Sequence, residues 1–121
     1  MILFFKGVFY ATALFVYWQA LIPFDEGGYT LGWDKANHTL AFFVLATQAF
    51  FAFPRAKLFQ LFLWLVLFAI TIELSQALTA YRQPSCLDVL ADIIGLLLVW
   101  LFLPLLTRCR GWLTLIWGDD R

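Results

Sequence analysis

The stretch LFQLFLWLVLFAITIELSQALTA, residues 58–80, decides the fold. It is apolar for long enough to cross a bilayer, which takes about 20 mostly apolar residues in a helix. Near its end, however, it carries Glu73 and Gln76. A charge at mid-helix costs about 2.5 to 3.5 kcal/mol on an insertion scale, and such groups face a bundle interior rather than lipid. Glu73 lies about two turns from the end of the segment, hence roughly 10 Å below the membrane surface at about 1.5 Å of rise per residue. The stretch therefore predicts a membrane helix and also neighbours that bring polar groups to meet it.

Three further segments of the same kind surround it. One runs from about Ile2 to Ile22 and stops at Pro23, where Asp25, Glu26, Gly27 and Gly28 have the composition of a turn. Another runs from about Lys35 to Phe53 and is closed by Pro54. The last covers 87–106, with Pro104 expected to kink its final turn. Ala11, Thr12 and Ala13 imitate a signal-peptidase site, but Lys6 interrupts the apolar run before it and the run continues to Ile22, which suits a retained anchor. The expected fold class is all-α: a polytopic membrane protein with four transmembrane helices in a compact bundle, forming a single domain over 1–121. Gly111 to Trp117 is too short to span, and Trp112 and Trp117 suit it to an interfacial C-terminal segment. Trp18 and Trp33 mark the opposite interface in the same way.

Composition agrees with this reading. At 121 residues, 64% apolar and 13% charged, the chain lies outside soluble usage and is long enough for one domain. A formal charge of zero leaves no basic footprint for nucleic acid. Cys86 and Cys109 fall at opposite ends of the fourth segment, too far apart to pair. Lys6, Arg55, Lys57, Arg108, Arg110 and Arg121 collect on one side of the four spans, and only Lys35 and Arg82 on the other. Because basic loops are retained inside, both termini are expected in the cytoplasm.

Helical spacing decides which polar groups can meet, since residues three or four apart share a face. Asp34 and His38 share one on the second segment, Glu73 and Gln76 on the third, and Asp88, Asp92 and Gly95 on the fourth. All three faces lie at the outer end, where they predict a polar pocket open to the exterior. Asp88 alone fits a helix cap, because helix N-termini favour negative charge. Asp92 adds a like charge one turn deeper, and Gly95 offers close approach to a neighbouring helix.

Asp34, Glu73, Asp88 and Asp92 outnumber Lys35 and Arg82. The excess is tolerable if an acid keeps its proton, if a cation binds, or if a substrate brings positive charge, and the favoured expectation is a retained proton on Glu73, the deepest acid. A divalent metal could draw on His38 and the carboxylates. Against it, paired His spacing is absent, Lys35 and Arg82 would adjoin the ion, and no cofactor is expected. Lys35 and Arg82 could instead clamp an anion. His38, Glu73 and Asp88 are the candidate catalytic or proton-carrying groups, and Asp34, Lys35, Gln76, Arg82 and Asp92 the candidate binding groups. Thr12, Gln19 and Gln48 fit interhelical hydrogen bonds. Serine-hydrolase, phosphate-loop and deaminase signatures are lacking.

The order Asp34-Lys35-x-x-His38, Glu73-x-x-Gln76, then Arg82, Asp88 and Gly95 resembles the VanZ-like membrane protein family over roughly residues 34–100. The family usually has Asn where this chain has Asp92. The resemblance implies a multi-pass protein of the bacterial inner membrane whose founding members are linked to reduced sensitivity to glycopeptides such as teicoplanin. It supplies no reaction. The expected partners are membrane lipids and a lipid-linked or glycopeptide ligand, bound or processed at the polar pocket. Two alternatives stand beside this: a proton-coupled transporter or accessory, for which a homo-oligomer would supply the missing half, and a structural subunit without chemistry.

Overall fold

The computed structural model describes residues 1–22, 31–79 and 85–118, with side chains from residue 35 onward in the second stretch. Among these, the chain forms helices α1 (Ile2–Leu21), α2 (Leu31–Ala52), α3 (Leu58–Ala77), α4 (Cys86–Leu101) and α5 (Leu103–Trp117), and no strand.

Each helix buries one stripe. On α3 the buried residues are Leu61, Leu65, Ala69, Ile72, Glu73 and Gln76, a run of i, i+4 and i+3 steps that follows one face. The opposite face leaves Phe59, Trp64, Leu67, Ile70 and Leu74 exposed, an apolar surface of the sort lipid covers. On α4 the stripe is Asp88, Ala91, Asp92, Gly95, Leu96 and Val99. Glu73, Gln76, Asp88 and Asp92 therefore lie on the inward faces of these helices, as the spacing predicts, while Gln60 and Thr71 of α3 are exposed.

The second helix is the hub, packing against α1, α3 and α4. Its Phe42, Leu45, Ala46 and Ala49 are buried in the core with Ile72 of α3 and Leu96 and Val99 of α4. α1 is peripheral and buries no residue fully, although Phe5, Phe9, Ala13, Val16 and Tyr17 lean on that core along one face.

Several boundaries differ from the sequence expectation. α2 begins at Leu31 rather than near Lys35, because the helix takes in residues 31–34, where Gly32 and Asp34 interrupt the apolar pattern. α3 ends at Ala77, before the expected Ala80. The segment expected over 87–106 is broken: α4 stops at Leu101, and α5 leaves it at 64°. Pro104 explains the break, since it offers no N–H to the carbonyl four residues back and its ring crowds that carbonyl. The short C-terminal segment at Gly111–Trp117 is accordingly the end of a full helix.

By length and composition, α1 and α3 can cross a membrane, and α4 with α5 qualifies as a bent pair. Four independent spans are thus more than these criteria give. The 22-residue α2 is long enough, but Lys35, Asn37, His38 and Gln48 dilute its apolar content.

Candidate functional site

The polar residues of α2 and α4 meet at the start of both helices. One face of α2 repeats at Lys35, His38, Thr39 and Phe42, and it is laid against the Asp88–Asp92–Gly95 stripe of α4. Close approach depends on Gly95: a Cβ there would collide with the carbonyl oxygen of Thr39 and lie 2.9 Å from the backbone nitrogen of Phe43. Thr39 Oγ1 donates to the Ala91 carbonyl at 3.0 Å, which fixes the register of the pair.

Within that contact the charged groups form a chain. Lys35 Nζ pairs with Asp88 Oδ1. The other Asp88 oxygen, Oδ2, lies 3.8 Å from His38 Nε2, and His38 Nδ1 is 2.9 Å from Asp92 Oδ1. Where Asp92 is ionised it accepts only, and the hydrogen of this bond is then on Nδ1. The imidazole thus stands between two carboxylates, one that orients it and one that links it to a lysine. Asp92 is fully buried and Asp88 6% exposed, whereas the Lys35 side chain is 29% exposed. The chain therefore runs from a partly open end at Lys35 to a closed end at Asp92.

Glu73 joins from α3. Its Oε2 accepts the backbone N–H of Ser85 at 2.8 Å, which ties α3 to the start of α4, and its charge is within electrostatic reach of Asp88, His38 and Asp92. Gln76 Nε2 donates to the Ala20 carbonyl of α1 at 2.8 Å. Both side chains keep one buried oxygen, Oε1, without a hydrogen-bond partner among the described residues. Nearby, Tyr17 Oη and Ser75 Oγ are 2.8 Å apart, a second link between α1 and α3.

Of the residues singled out from sequence, the structure gathers Lys35, His38, Asp88 and Asp92 into one network and places Glu73 beside it. Gln76 lies a turn along α3 and reaches α1. The side chain of Asp34 and all of Arg82 lie outside the described residues. The cap reading of Asp88 is corrected. Ser85 is the N-cap of α4, its Oγ accepting from Leu87 N–H at 3.2 Å, and Asp88 sits within the first turn, available to Lys35. Gln48 bonds Thr12 at 3.0 Å, away from the cluster, as an interhelical tie. Among the described residues, no group of three or more His, Cys, Asp or Glu side chains is placed to hold a metal ion.

Sequence reasoning missed Thr39, Ser85 and Tyr17. Thr39 carried a signal, one turn before Phe43 on the face that meets Gly95. Ser85 contributes its backbone N–H to Glu73, a role no side-chain pattern announces.

A family model described as VanZ/LLP1 matches residues 2–107, nearly the whole bundle and every described residue of the cluster. No curated protein and no solved structure matches the chain.

Proposed function

The chain belongs to the VanZ/LLP1 family, and on that premise we propose a multi-pass protein of the bacterial inner membrane that binds a polar or amphiphilic envelope molecule. The ligand is a lipid or lipid-linked precursor, and its place is the cluster of Lys35, His38, Glu73, Gln76, Asp88 and Asp92. In this reading α2 is a fourth span. Its core position between α1, α3 and α4 lets it keep polar residues that a lipid-facing helix could not. Both termini are cytoplasmic and the cluster faces outward, on the strength of the basic residues at the other end.

One observation carries the binding reading: among the described residues, buried acceptors on α3 remain unmatched next to an acid-rich network whose Lys35 end is partly open. A purely structural polar core would satisfy its own hydrogen bonds, because each buried orphan costs about 1–3 kcal/mol. Protection against glycopeptides, as in the founding members of the family, would follow if the bound molecule were an envelope precursor.

The test is native mass spectrometry of the protein released from membranes, alongside teicoplanin susceptibility of cells expressing it. The expected result is a co-released lipid with the wild type and its loss with His38→Ala/Asp92→Asn, while helical content and bundle size persist. A wild type that emerges bare, with unchanged susceptibility, would leave the structural-subunit reading standing. A proton relay without a lipid is the second reading, favoured by the Lys35–Asp88–His38–Asp92 chain. It predicts acidification of proteoliposomes that Glu73→Gln abolishes.

A further inference from the structure

Glu73 and Gln76 stand one helical turn apart on the buried stripe of α3, 6% and 2% exposed. At that spacing their Cβ atoms are about 5–6 Å apart. One donor already serves the far oxygen of Glu73, the Ser85 N–H, and the Gln76 amide nitrogen is spent on the Ala20 carbonyl. What remains is a pair of inward acceptors, Glu73 Oε1 and Gln76 Oε1, with no donor among the described residues. With Glu73 ionised, the missing complement is a donor and not an acceptor.

Charge points the same way. With its three carboxyls ionised, the described cluster sets Glu73, Asp88 and Asp92 against Lys35 and one imidazole, so acid is in excess whether or not His38 is charged. Asp34 and Arg82 cancel in formal charge and do not alter the balance. An anion would meet a carboxylate at this place. A bare metal ion would find too few ligands in the right geometry among the described residues. A quaternary ammonium would bring charge but no N–H. A primary ammonium brings both, with donors enough for two acceptors.

We propose that Glu73 and Gln76 hold the primary ammonium of the bound envelope molecule, through N–H donation to Glu73 Oε1 and Gln76 Oε1. This assignment rests on the envelope-binding reading above and names the chemical class it takes. The neighbouring carboxylates Asp88 and Asp92 supply longer-range attraction, while Lys35, at the open end, is placed for an anionic group on the same molecule. The amine can belong to a phospholipid headgroup or to a soluble amine, and the recognising chemistry is the same.

The test uses the full chain in detergent micelles, offered equal amounts of phosphatidylethanolamine, phosphatidylcholine and phosphatidylglycerol with identical acyl chains. Retention is read by native mass spectrometry. The ethanolamine lipid should be held at least roughly tenfold over its trimethylated counterpart, the difference expected from charged hydrogen bonds that only the former can donate. Glu73→Gln should erase most of that preference. Should that variant fail to fold, the headgroup series on the unaltered protein still decides. Competition by free ethanolamine separates the sources: displacement of the lipid supports a site for the amine itself, and persistence supports the headgroup as the natural occupant. Equal retention of the ethanolamine and choline lipids, or preference for the glycerol lipid, overturns the ammonium assignment but leaves a lipid site in place. Absence of any bound lipid overturns the underlying envelope reading as well.

Discussion

At the scale of single residues, the pair of Lys35 and Asp88 is the most exposed link in an otherwise buried chain. Taking one partner from a buried pair costs about 3–5 kcal/mol, because the other charge is left uncompensated. Partial solvation of the Lys35 side chain lowers that figure, and Lys35→Met is expected to cost about 2 kcal/mol. Adding Asp88→Asn should restore most of it, since the stranded charge is gone. Thermal unfolding of the two single variants and the double variant checks this, and a double variant no more stable than Lys35→Met would show that the pair does not act as a unit. Much of this site was legible in the sequence. The steps from Glu73 to Gln76 and from Asp88 to Asp92 to Gly95 already put those residues on inward faces. Pairing across helices was not legible, because it depends on register: the spacing put Asp34 and His38 on one face but could not name Asp92 of another helix as the partner of His38 Nδ1. Backbone partners such as Ser85 N–H escape sequence reading altogether.

At the scale of elements, the α2–α4 contact governs the cluster, and it hinges on the missing side chain at Gly95. The three atoms nearest a Cβ at that position are all backbone, from Thr39 and Phe43, so neither neighbour can move aside by changing rotamer. Gly95→Ala must therefore push the helices apart, at a cost in the overpacking range of about 1–3 kcal/mol. That displacement would lengthen both the Thr39–Ala91 and the His38–Asp92 hydrogen bonds. The expected outcome is a lower melting temperature together with loss of lipid retention. Gly7→Ala serves as control, because a Cβ there meets nothing within 4 Å. Equal melting of the two variants would mean that α2 and α4 are not held at glycine distance. Here the sequence marked Gly95 as a point of close approach but could not say which helix approached. It also expected one segment to Leu106 with a kink at Pro104, where the structure ends α4 at Leu101 and begins a separate α5, because hydropathy continues across the bend while hydrogen bonding does not.

At the scale of the whole molecule, the bundle is polarised end to end. The acidic network occupies the start of α2 and α4, and the basic residues gather where α2 ends. There Arg110 of α5 donates to the Phe50 carbonyl at 3.3 Å with its guanidinium 4.0 Å from the Phe50 ring, and Lys6 of α1 lies 5.5 Å from the Phe53 ring. Trp117 closes against Phe4 with 5.7 Å between rings, so α5 is carried back beneath α1. The order of the apolar segments and this charge asymmetry were readable from residues alone, and they are the basis for the proposed outward cluster. The bend in the last pair is what makes that topology a real question. α4 has only 16 residues, about 24 Å of helix, less than the hydrocarbon thickness of about 30 Å. Either it crosses with help from the first turns of α5, or the pair dips in and returns. The two free, exposed cysteines flank the bend and separate these cases, Cys86 in the first turn of α4 and Cys109 beyond the break on α5. In sealed right-side-out vesicles a membrane-impermeant maleimide should label Cys86 and spare Cys109, and inverted vesicles should reverse the pattern. Cys86→Ser and Cys109→Ser assign the signals. Labelling of both cysteines from one side would make α4 and α5 a re-entrant pair and return the chain's end to the face that carries the cluster.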